Sequence, residues 1–389
     1  MGGYISRTQA ETIKSLAKWF PVVSVTGPRQ SGKSTLLKHA FSSYKYINLE
    51  EFETRRRAED DPVGFIRDLS SNVIIDEAQL VPELFRMVQV VCDEQKIKGR
   101  FILSGSQNFL LSKNIGQSLA GRVGISRLLP LSFQEAYKAK SKQEVDDFIF
   151  TGGYPQLHSD DIPRKLFFQN YIDTYLERDV KGYLDVRNRS SFNQLLFLLA
   201  ERVGSLINFS ELANTLDVSF QTIKSWVQIL EASCIIFFLQ PYHAKTKKRL
   251  TKTPKVFFWD SGLLSYLLGF TTTAGMVESA SYGHIFENAI IAEKQKMYLN
   301  AGEKPILYFY NDDSKREIDL LDFTSRNALT ATEIKSSRSY KQKFARHLNS
   351  VGGELGISIA SRNVVCRVES SCTTEGIKVV NAKDWLLQR

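Results

Sequence analysis

The segment FPVVSVTGPRQSGKSTLLKHAF, residues 20–41, decides the fold of the first part of this 389-residue chain. Val22, Val23 and Val25 form an apolar run interrupted only by Ser24, which is typical of a buried parallel strand. The next eight residues match G-x-x-x-x-G-K-[ST], and a helical pattern starts directly after them. This pattern is that of a phosphate-binding loop, whose backbone N–H groups wrap phosphates. The residues expected to contact the nucleotide are Gly27, Pro28, Arg29, Gln30, Ser31, Gly32, Lys33, Ser34 and Thr35.

Two side chains of this loop have specific predicted roles. Lys33 would reach the β- and γ-phosphates, and Ser34 would offer its hydroxyl to a magnesium ion. The N-terminus of the following helix would add the favourable end of its dipole. The sequence therefore predicts ATP and Mg²⁺ as cofactors.

Two further predicted strands supply polar residues at their carboxyl ends, where α/β sheets place ligands. After the strand in NVIIDEAQL (72–80), Asp76 is expected to hold the magnesium ion and Glu77 to polarise the attacking water. The strand in RFILSGSQNFLL (100–111) ends near Ser104 and Ser106, and a polar residue there would sense the γ-phosphate. The alternative for these serines is a cap on the next helix.

Composition and charge limit the remaining choices. The length predicts two or three domains, and 43% hydrophobic with 24% charged residues is typical of a globular protein. No apolar run is long enough to span a bilayer, and the N-terminus lacks the apolar core of a signal peptide, so a cytoplasmic protein without membrane contact is expected. The four cysteines form no C-x-x-C pair, so neither a disulfide framework nor a zinc site is indicated. A net charge of +9 favours a polyanionic partner.

The middle of the chain carries a helix-turn-helix pattern in residues 208–242, with Ser210 as the predicted cap of the first helix. Two apolar strands follow, which completes a winged-helix pattern. The alternative is a docking or spacer module whose basic hairpin is only a solvated edge. The basic residues expected to contact nucleic acid, DNA in particular, are Lys245, Lys247, Lys248, Arg249 and Lys252.

Several segments together resemble a known group of proteins. GPRQSGKST, IIDEAQ, ILSGSQ, SLAGRV, TGGYPQL and DSGLLSYLL are similar to motifs of prokaryotic AAA-type ATP-binding proteins. In that group the C-terminal half carries a domain of unknown function related to the PD-(D/E)XK nucleases. The resemblance implies that Arg122, in LAGR, is a candidate arginine finger, which a neighbouring copy would supply in a homo-oligomer. The alternative for Arg122 is an ion pair at the edge of the sheet.

The C-terminal part is predicted to have the order α-β-β-β-α-β, with later strands in LGISIAS (355–361) and in IKVVNA, which is similar to the PD-(D/E)XK core. Asp319 and Glu333 would share a Mg²⁺ ion, with Glu287 as a further ligand through water. Lys335 would activate the attacking water or stabilise the transition state. Three interpretations remain open: cleavage of nucleic acid, binding without turnover, and a surface ion pair between Glu333 and Lys335.

The sequence thus predicts an α/β protein in three parts: an AAA-type P-loop ATPase with a parallel sheet (1–150), a helical and winged-helix segment (151–272), and a PD-(D/E)XK-like α/β domain (276–389). The predicted function is ATP binding and hydrolysis coupled to a DNA-binding, nuclease-like, Mg-dependent domain. The alternative is a nucleotide-switched interaction protein whose C-terminal domain is a docking or binding module.

Overall fold

A computed structural model describes residues 3–105, 119–140, 143–176, 189–242, 253–324 and 329–388. Its first part contains a five-stranded, all-parallel sheet in the order β2-β3-β4-β1-β5. The strands are β1 (Val22–Thr26), β2 (Lys45–Asn48), β3 (Val73–Asp76), β4 (Phe101–Gly105) and β5 (Val123–Arg127). The predicted strands around Val23 and Ile74 are confirmed.

Helices cover both faces of this sheet, which explains why its central strands read as continuous apolar runs. Val22 packs into the core on one face, whereas Val23 and Val25 pack into the core on the other. The helices of this part are α1 (Gln9–Trp19), α2 (Lys33–Ala40), α3 (Phe52–Asp60), α4 (Pro62–Arg67) and α5 (Glu83–Gln95), with a 3₁₀ turn at Ala78–Leu80.

The middle of the chain is mainly helical. Its helices are α6 (Phe133–Ala139), α7 (Val145–Thr151), α8 (Gln156–Ser159), α9 (Arg164–Asn170), α10 (Arg189–Glu201), α11 (Phe209–Leu216) and α12 (Phe220–Ala232), with a π-helical turn at Tyr171–Leu176. The cap of α11 differs from the prediction, because Asn208 rather than Ser210 accepts the first N–H groups of the helix. Ser219 caps α12 by accepting from the Thr222 N–H.

A hairpin follows these helices and joins the C-terminal sheet. Strands β6 (Ile236–Pro241) and β7 (Lys255–Phe258) are antiparallel, and helices α13 (Ser261–Leu267) and α14 (Thr273–Glu278) come next. The end of β6 pairs in parallel with β8 (Leu307–Asn311), with Gln240 opposite Tyr308. The resulting sheet has eight strands in the order β12 (Cys372–Thr374), β13 (Ile377–Asn381), β11 (Arg362–Cys366), β10 (Thr330–Lys335), β9 (Glu317–Asp322), β8, β6 and β7.

The C-terminal part supplies the other strands of that sheet and one long helix. They are α15 (Tyr282–Asn300), β9 (Glu317–Asp322), β10 (Thr330–Lys335), α16 (Arg346–Glu354), β11 (Arg362–Cys366), β12 (Cys372–Thr374), β13 (Ile377–Asn381) and α17 (Ala382–Leu387). The predicted strand in residues 355–361 is wrong. Gly356 takes a positive φ of 70° after α16, a 3₁₀ turn occupies Ile359–Ser361, and the strand starts only at Arg362.

One large hydrophobic core joins the middle and C-terminal parts. It runs from Leu129 to Leu387 and includes buried residues of α12, β6, β7 and α15. Polar contacts tie this body to the first part: Thr12 Oγ1 donates to the Asn300 carbonyl at 2.7 Å, and Gln9 Nε2 donates to the Leu299 carbonyl at 3.4 Å. None of the helices in the described ranges is both long enough and apolar enough to cross a membrane.

Candidate functional site

The predicted phosphate-binding loop lies between β1 and α2, at the carboxyl edge of the parallel sheet. Gly27 has a φ of 150°, and a Cβ atom there would lie 2.0 Å from the Leu128 carbonyl oxygen, so the loop needs glycine at this position. Lys33 begins α2, and its Nζ donates to the carbonyl oxygens of Gly27 at 3.0 Å and Pro28 at 2.9 Å. Burial lowers the pKa of Lys33, although Glu77 and Asp76 oppose this shift.

The Asp76 carboxylate accepts hydrogen bonds from three hydroxyl groups, each on a different element. Its Oδ2 accepts from Ser34 Oγ and from the Tyr46 hydroxyl, both at 2.5 Å, and its Oδ1 accepts from Ser104 Oγ at 2.5 Å. Burial alone would raise the pKa of Asp76, but these hydrogen bonds and the Lys33 charge bring it below its usual value. Asp76 is therefore held as a carboxylate beside the Ser34 hydroxyl, as the sequence predicted for a magnesium site.

Glu77 follows Asp76 in a left-handed conformation, with a φ of 54°. Non-glycine residues adopt this conformation at a cost and are enriched at functional sites. The Gln79 side-chain amide donates to Glu77 Oε2 at 2.5 Å, and Glu77 lines the same cavity as Lys33 and Ser34. Its carboxylate is thus oriented by a neighbour and faces the place where phosphates would bind.

The cavity over the loop has a volume of about 630 Å³ and extends well beyond the predicted residues. It is also lined by Tyr4, Ile5, Arg7, His39, Pro155, Gln156, Ser159 and Asp160. Sequence reasoning missed all of these. His39 lies on α2 beyond the loop motif. The others come from the chain start and from the middle part, and no local motif links them to the loop.

Arg7 holds the phosphate-binding loop in place through hydrogen bonds. Its guanidinium donates to the Ser31 carbonyl at 2.7 Å and to the Leu129 carbonyl at 2.6 Å, and it pairs with Glu135 at 3.3 Å. Glu135 also accepts the Thr8 N–H at 2.7 Å. The loop is therefore positioned by a buried ion pair between the chain start and helix α6.

The residues present fit a triphosphate with magnesium. The Ser34 hydroxyl and the Asp76 carboxylate are adjacent oxygen donors of the kind that Mg²⁺ prefers. Two buried oxygens of the loop, Ser31 Oγ and Gln30 Oε1, have no hydrogen-bond partner in the part of the chain that the structure describes. Lys33, whose Nζ contacts the Gly27 and Pro28 carbonyl oxygens, supplies positive charge at the loop.

Of two further predicted contributors, Ser106 lies outside the described residues. The other, Arg122, lies away from this site. Arg122 precedes β5 at the amino edge of the sheet, opposite the loop, and forms a two-pronged ion pair with Asp93 at 2.6 and 2.9 Å. The structure thus places Arg122 in the ion pair that was its alternative, and a finger supplied by a neighbouring copy stays a prediction.

A second charged cluster lies in the C-terminal sheet. Thr332 pairs with Leu320, which brings the next residues, Glu333 and Asp319, opposite each other on neighbouring strands. Lys335 Nζ lies 2.7 Å from Glu333 Oε1 and 3.3 Å from Asp319 Oδ2. The Ile334 N–H also donates to Asp319 Oδ2 at 2.7 Å. The predicted convergence of these three side chains is therefore seen.

Lys255 was not predicted as a member of this cluster. It is buried in β7, and its Nζ lies 3.2 Å from Glu287 Oε1 and 2.5 Å from Glu317 Oε1. The three carboxylates around it raise its pKa although burial alone would lower it. The only sequence signal was a lysine at the start of an apolar strand, which sequence reasoning takes for a solvated edge.

Burial dominates the electrostatics of this cluster. It raises the pKa of Glu287 to about 7, with Lys255 opposing and Asp319 adding to the shift. It raises the pKa of Glu333 to about 8, with Asp319 adding and Lys335 opposing. The cluster thus contains four carboxyl groups and two lysines, and burial favours the protonated form of some of the carboxyl groups.

The expected metal site of Glu287, Asp319 and Glu333 is not formed. Within the described ranges, no group of three or more Asp, Glu, His or Cys side chains is arranged to hold a metal ion. The physical reason is that Lys255 binds Glu287 and Lys335 binds both other acids, so ammonium groups take the place of a shared cation. These residues do not fit the metal-centre prediction.

The basic residues of the predicted wing, Lys245, Lys247, Lys248, Arg249 and Lys252, lie outside the described residues. On α12, Gln221, Lys224 and Ser225 are exposed, whereas Ile223 and Trp226 are buried. The side of this helix that carries Gln221, Lys224 and Ser225 is therefore accessible to a partner.

Three family models match successive parts of the chain. Residues 20–137 match a model described as an AAA domain. Residues 20–137 thus form an AAA-type P-loop domain. Residues 142–274 and 282–385 match two models described as domains of unknown function (DUF8612 and DUF4143). The AAA-type domain is therefore followed by a DUF4143 region at the C-terminal end.

Relatives and solved structures are similar over most of the chain. An uncharacterized protein of Mycobacterium tuberculosis is 29% identical over 77% of this chain and 67% of its own length. One of Haemophilus influenzae is 25% identical over 94% of each. The Walker-type ATPase of Pyrococcus abyssi has a TM-score of 0.41 at 14% identity, covering 68% of this chain and 96% of its own. The Thermotoga maritima RuvB Holliday junction branch migration motor has a TM-score of 0.31 at 16% identity, covering 60% of this chain and 89% of its own.

Proposed function

We propose that this protein binds ATP with Mg²⁺ in the cavity over its phosphate-binding loop and hydrolyses it. The observation that carries the proposal is the meeting of Lys33, Ser34, Asp76 and Glu77 at one edge of the sheet, beside an open cavity of about 630 Å³. A cavity of this size falls in the range of small-ligand sites, about 300–1,000 Å³.

Each side chain has a role that its position supports. Lys33 Nζ would leave the carbonyl oxygens of its own loop and move to the phosphate oxygens, where its charge offsets theirs. The Ser34 hydroxyl and the Asp76 carboxylate would hold Mg²⁺, which neutralises charge that develops on the phosphates. Glu77, oriented by Gln79, would accept a proton from the attacking water and align it with the γ-phosphate.

The test compares Lys33→Ala, Glu77→Gln and wild-type protein in ATP binding and in phosphate release. Lys33→Ala should lose turnover and most of its nucleotide affinity. Glu77→Gln should keep affinity within about threefold and lose about a hundredfold or more in turnover, because only the proton acceptor is removed.

Lys14→Ala is the matched control, since Lys14 is an exposed lysine of α1 that pairs with Glu11. It should behave as wild type. Normal turnover in Lys33→Ala, or in Glu77→Gln, would contradict the assignment of these residues.

For the middle and C-terminal parts we propose nucleic-acid binding without cleavage. The net charge of +9 and the accessible polar face of α12 support a polyanionic partner, and a winged-helix mode of contact would use that face. The ion pair of Lys255 with Glu287 favours binding over cleavage, because it neutralises an acid that a nuclease would use.

Cleavage remains the second candidate, favoured by the contact of one lysine, Lys335, with both Asp319 and Glu333. Supercoiled plasmid with Mg²⁺ or Mn²⁺ separates the two candidates. We expect plasmid retardation in gels but no nicking by wild type. Nicking that disappears in both Asp319→Ala and Lys335→Ala would establish a nuclease and overturn the proposal of binding alone.

A further inference from the structure

The cavity over the phosphate-binding loop continues past the place that a triphosphate would fill. Its outer part is bounded on one side by Tyr4 and His39, whose rings are stacked with centroids 3.9 Å apart and planes 5° apart. The His39 Nδ1–H donates to the Thr35 carbonyl at 2.8 Å, which fixes the ring on helix α2. Tyr4 stays 42% exposed in this arrangement. The site therefore presents an aromatic surface one helical turn beyond the loop.

Pro155 and Gln156, from the TGGYPQL segment, line the same cavity and form a second wall of it. This wall comes close to the loop: a Cβ atom built on Gly32 would lie 3.6 Å from Pro155 Cγ. Gln156 is half-buried and carries both a donor and an acceptor. One cavity thus combines an aromatic surface with a wall that has hydrogen-bonding capacity.

The wall is held in place by close backbone contacts. The Gly153 N–H donates to Asp260 Oδ2 at 2.7 Å. A Cβ atom on Gly153 would lie 2.2 Å from the Leu131 carbonyl oxygen, so only glycine fits between these neighbours. Tyr154, the next residue, is 1% exposed in the large core. The Pro155–Gln156 wall is therefore preformed.

We propose that the nucleoside part of the bound nucleotide lies between the Tyr4–His39 pair and the Pro155–Gln156 wall, with a purine base stacked on Tyr4. This inference rests on the proposed nucleotide function and deepens it. A two-ring base gains more from stacking than a one-ring base, because it covers more of the aromatic face. The Gln156 amide can pair with the polar edge of the base or with the ribose hydroxyls. The TGGYPQL segment then has a role that its sequence alone did not indicate.

The experiment measures binding of Mg-ATP and of Mg-tripolyphosphate by calorimetry, with any affinity tag at the C-terminus because Tyr4 lies near the chain start. Tripolyphosphate reports on the loop alone. We expect Tyr4→Ala to weaken ATP binding by about tenfold, the loss typical of one base stack, and to leave tripolyphosphate binding within about twofold. Gln156→Ala should likewise weaken ATP binding and leave tripolyphosphate binding nearly unchanged. Tyr4→Phe, which keeps the aromatic ring, should bind ATP as wild type does.

Trp19→Ala is the matched control, since Trp19 is an exposed aromatic residue at the far end of α1, beside the amino edge of the sheet. It should change neither affinity. ATP affinity that is unchanged in both Tyr4→Ala and Gln156→Ala, or a parallel loss of ATP and tripolyphosphate in Tyr4→Ala, would overturn the nucleoside site. If wild type binds neither ligand, the proposed function itself fails, so the two failures are distinguishable.

Discussion

Glu333 carries the most unusual single-residue chemistry of the C-terminal sheet. Its carboxyl is buried, and while Oε1 contacts Lys335, Oε2 has no hydrogen-bond partner among the residues described. The pKa of about 8 means that folded protein binds a proton here at neutral pH, whereas unfolded chain, with an ordinary glutamate, does not. Folding stability is therefore linked to pH through this residue.

The sign of the linkage follows from the raised pKa. The contribution to stability is fully present below the ordinary glutamate pKa and is lost as the pH rises through about 8. Raising the pH from 6 to 9 should therefore destabilise wild type more than Glu333→Gln. We predict that the melting temperature of Glu333→Gln relative to wild type is higher at pH 9 than at pH 6, by about 2–4 °C or more. Thermal denaturation at both pH values measures this difference. Glu303→Gln, a change at an exposed acid, should show the same difference from wild type at both pH values. A Glu333→Gln difference that is equally pH-independent would contradict the buried-proton explanation.

The burial of Lys255 and its ion pairs could not be inferred from its residue type. Lysine in a four-residue strand suggests a solvent-facing edge, yet this one is 4% exposed and pairs with two carboxylates from other elements. Its partners come from α15 and β9, and nothing near position 255 in the sequence identifies them. The ion pairs that replace a metal centre were therefore not predictable, although the acids themselves were.

At the scale of elements, the corner between β7 and α13 connects the two sites. Lys255 begins β7 in the charged cluster, and Asp260, just beyond the strand's end, caps α13 and holds Gly153 beside the nucleotide cavity. Asp260 is 2% exposed, and its two oxygens accept from Gly153 at 2.7 Å and from Leu263 at 2.8 Å. A short rigid segment thus spans the distance between the charged cluster and the wall.

We predict that Asp260→Ala lowers both stability and ATP affinity. Losing the cap should cost about 1 kcal/mol of folding stability, and releasing Gly153 should loosen the wall and weaken ATP binding several-fold. Asn208→Ala is a matched control, because Asn208 caps α11 in the same way without contacting the wall. Melting temperature and ATP affinity measure both effects. Equal losses of ATP affinity in the two variants would assign the effect to general destabilisation.

For the whole molecule, features that depend on residues close in sequence were predictable, whereas features that depend on contacts between distant parts of the chain were not. The loop between β1 and α2 was predictable, because strand, glycines and helix lie within one short segment. The acids Asp76 and Glu77 were predictable too, because they directly follow the apolar run of β3. The Tyr4 and Pro155 sides of the cavity were not, since each is placed by contacts between distant parts of the chain. The same holds for the pairing of β6 with β8, which depends on a parallel match that no local pattern specifies.

The hydrophobic core of the parallel sheet and the large core of the rest of the chain meet at the peptide bond between Leu128 and Leu129. Leu128 packs with the parallel sheet, whereas Leu129 packs in the core that runs to Leu387. A domain exchange between homologues should therefore respect this point: a chimera joined after residue 128 keeps each apolar core within one parent. A junction near residue 275 would divide the larger core between two parents and mismatch packed side chains. Residues 129–389 should accordingly be exchanged between relatives as a single module, even though the AAA-domain match extends to residue 137 and two other family models cover most of the rest.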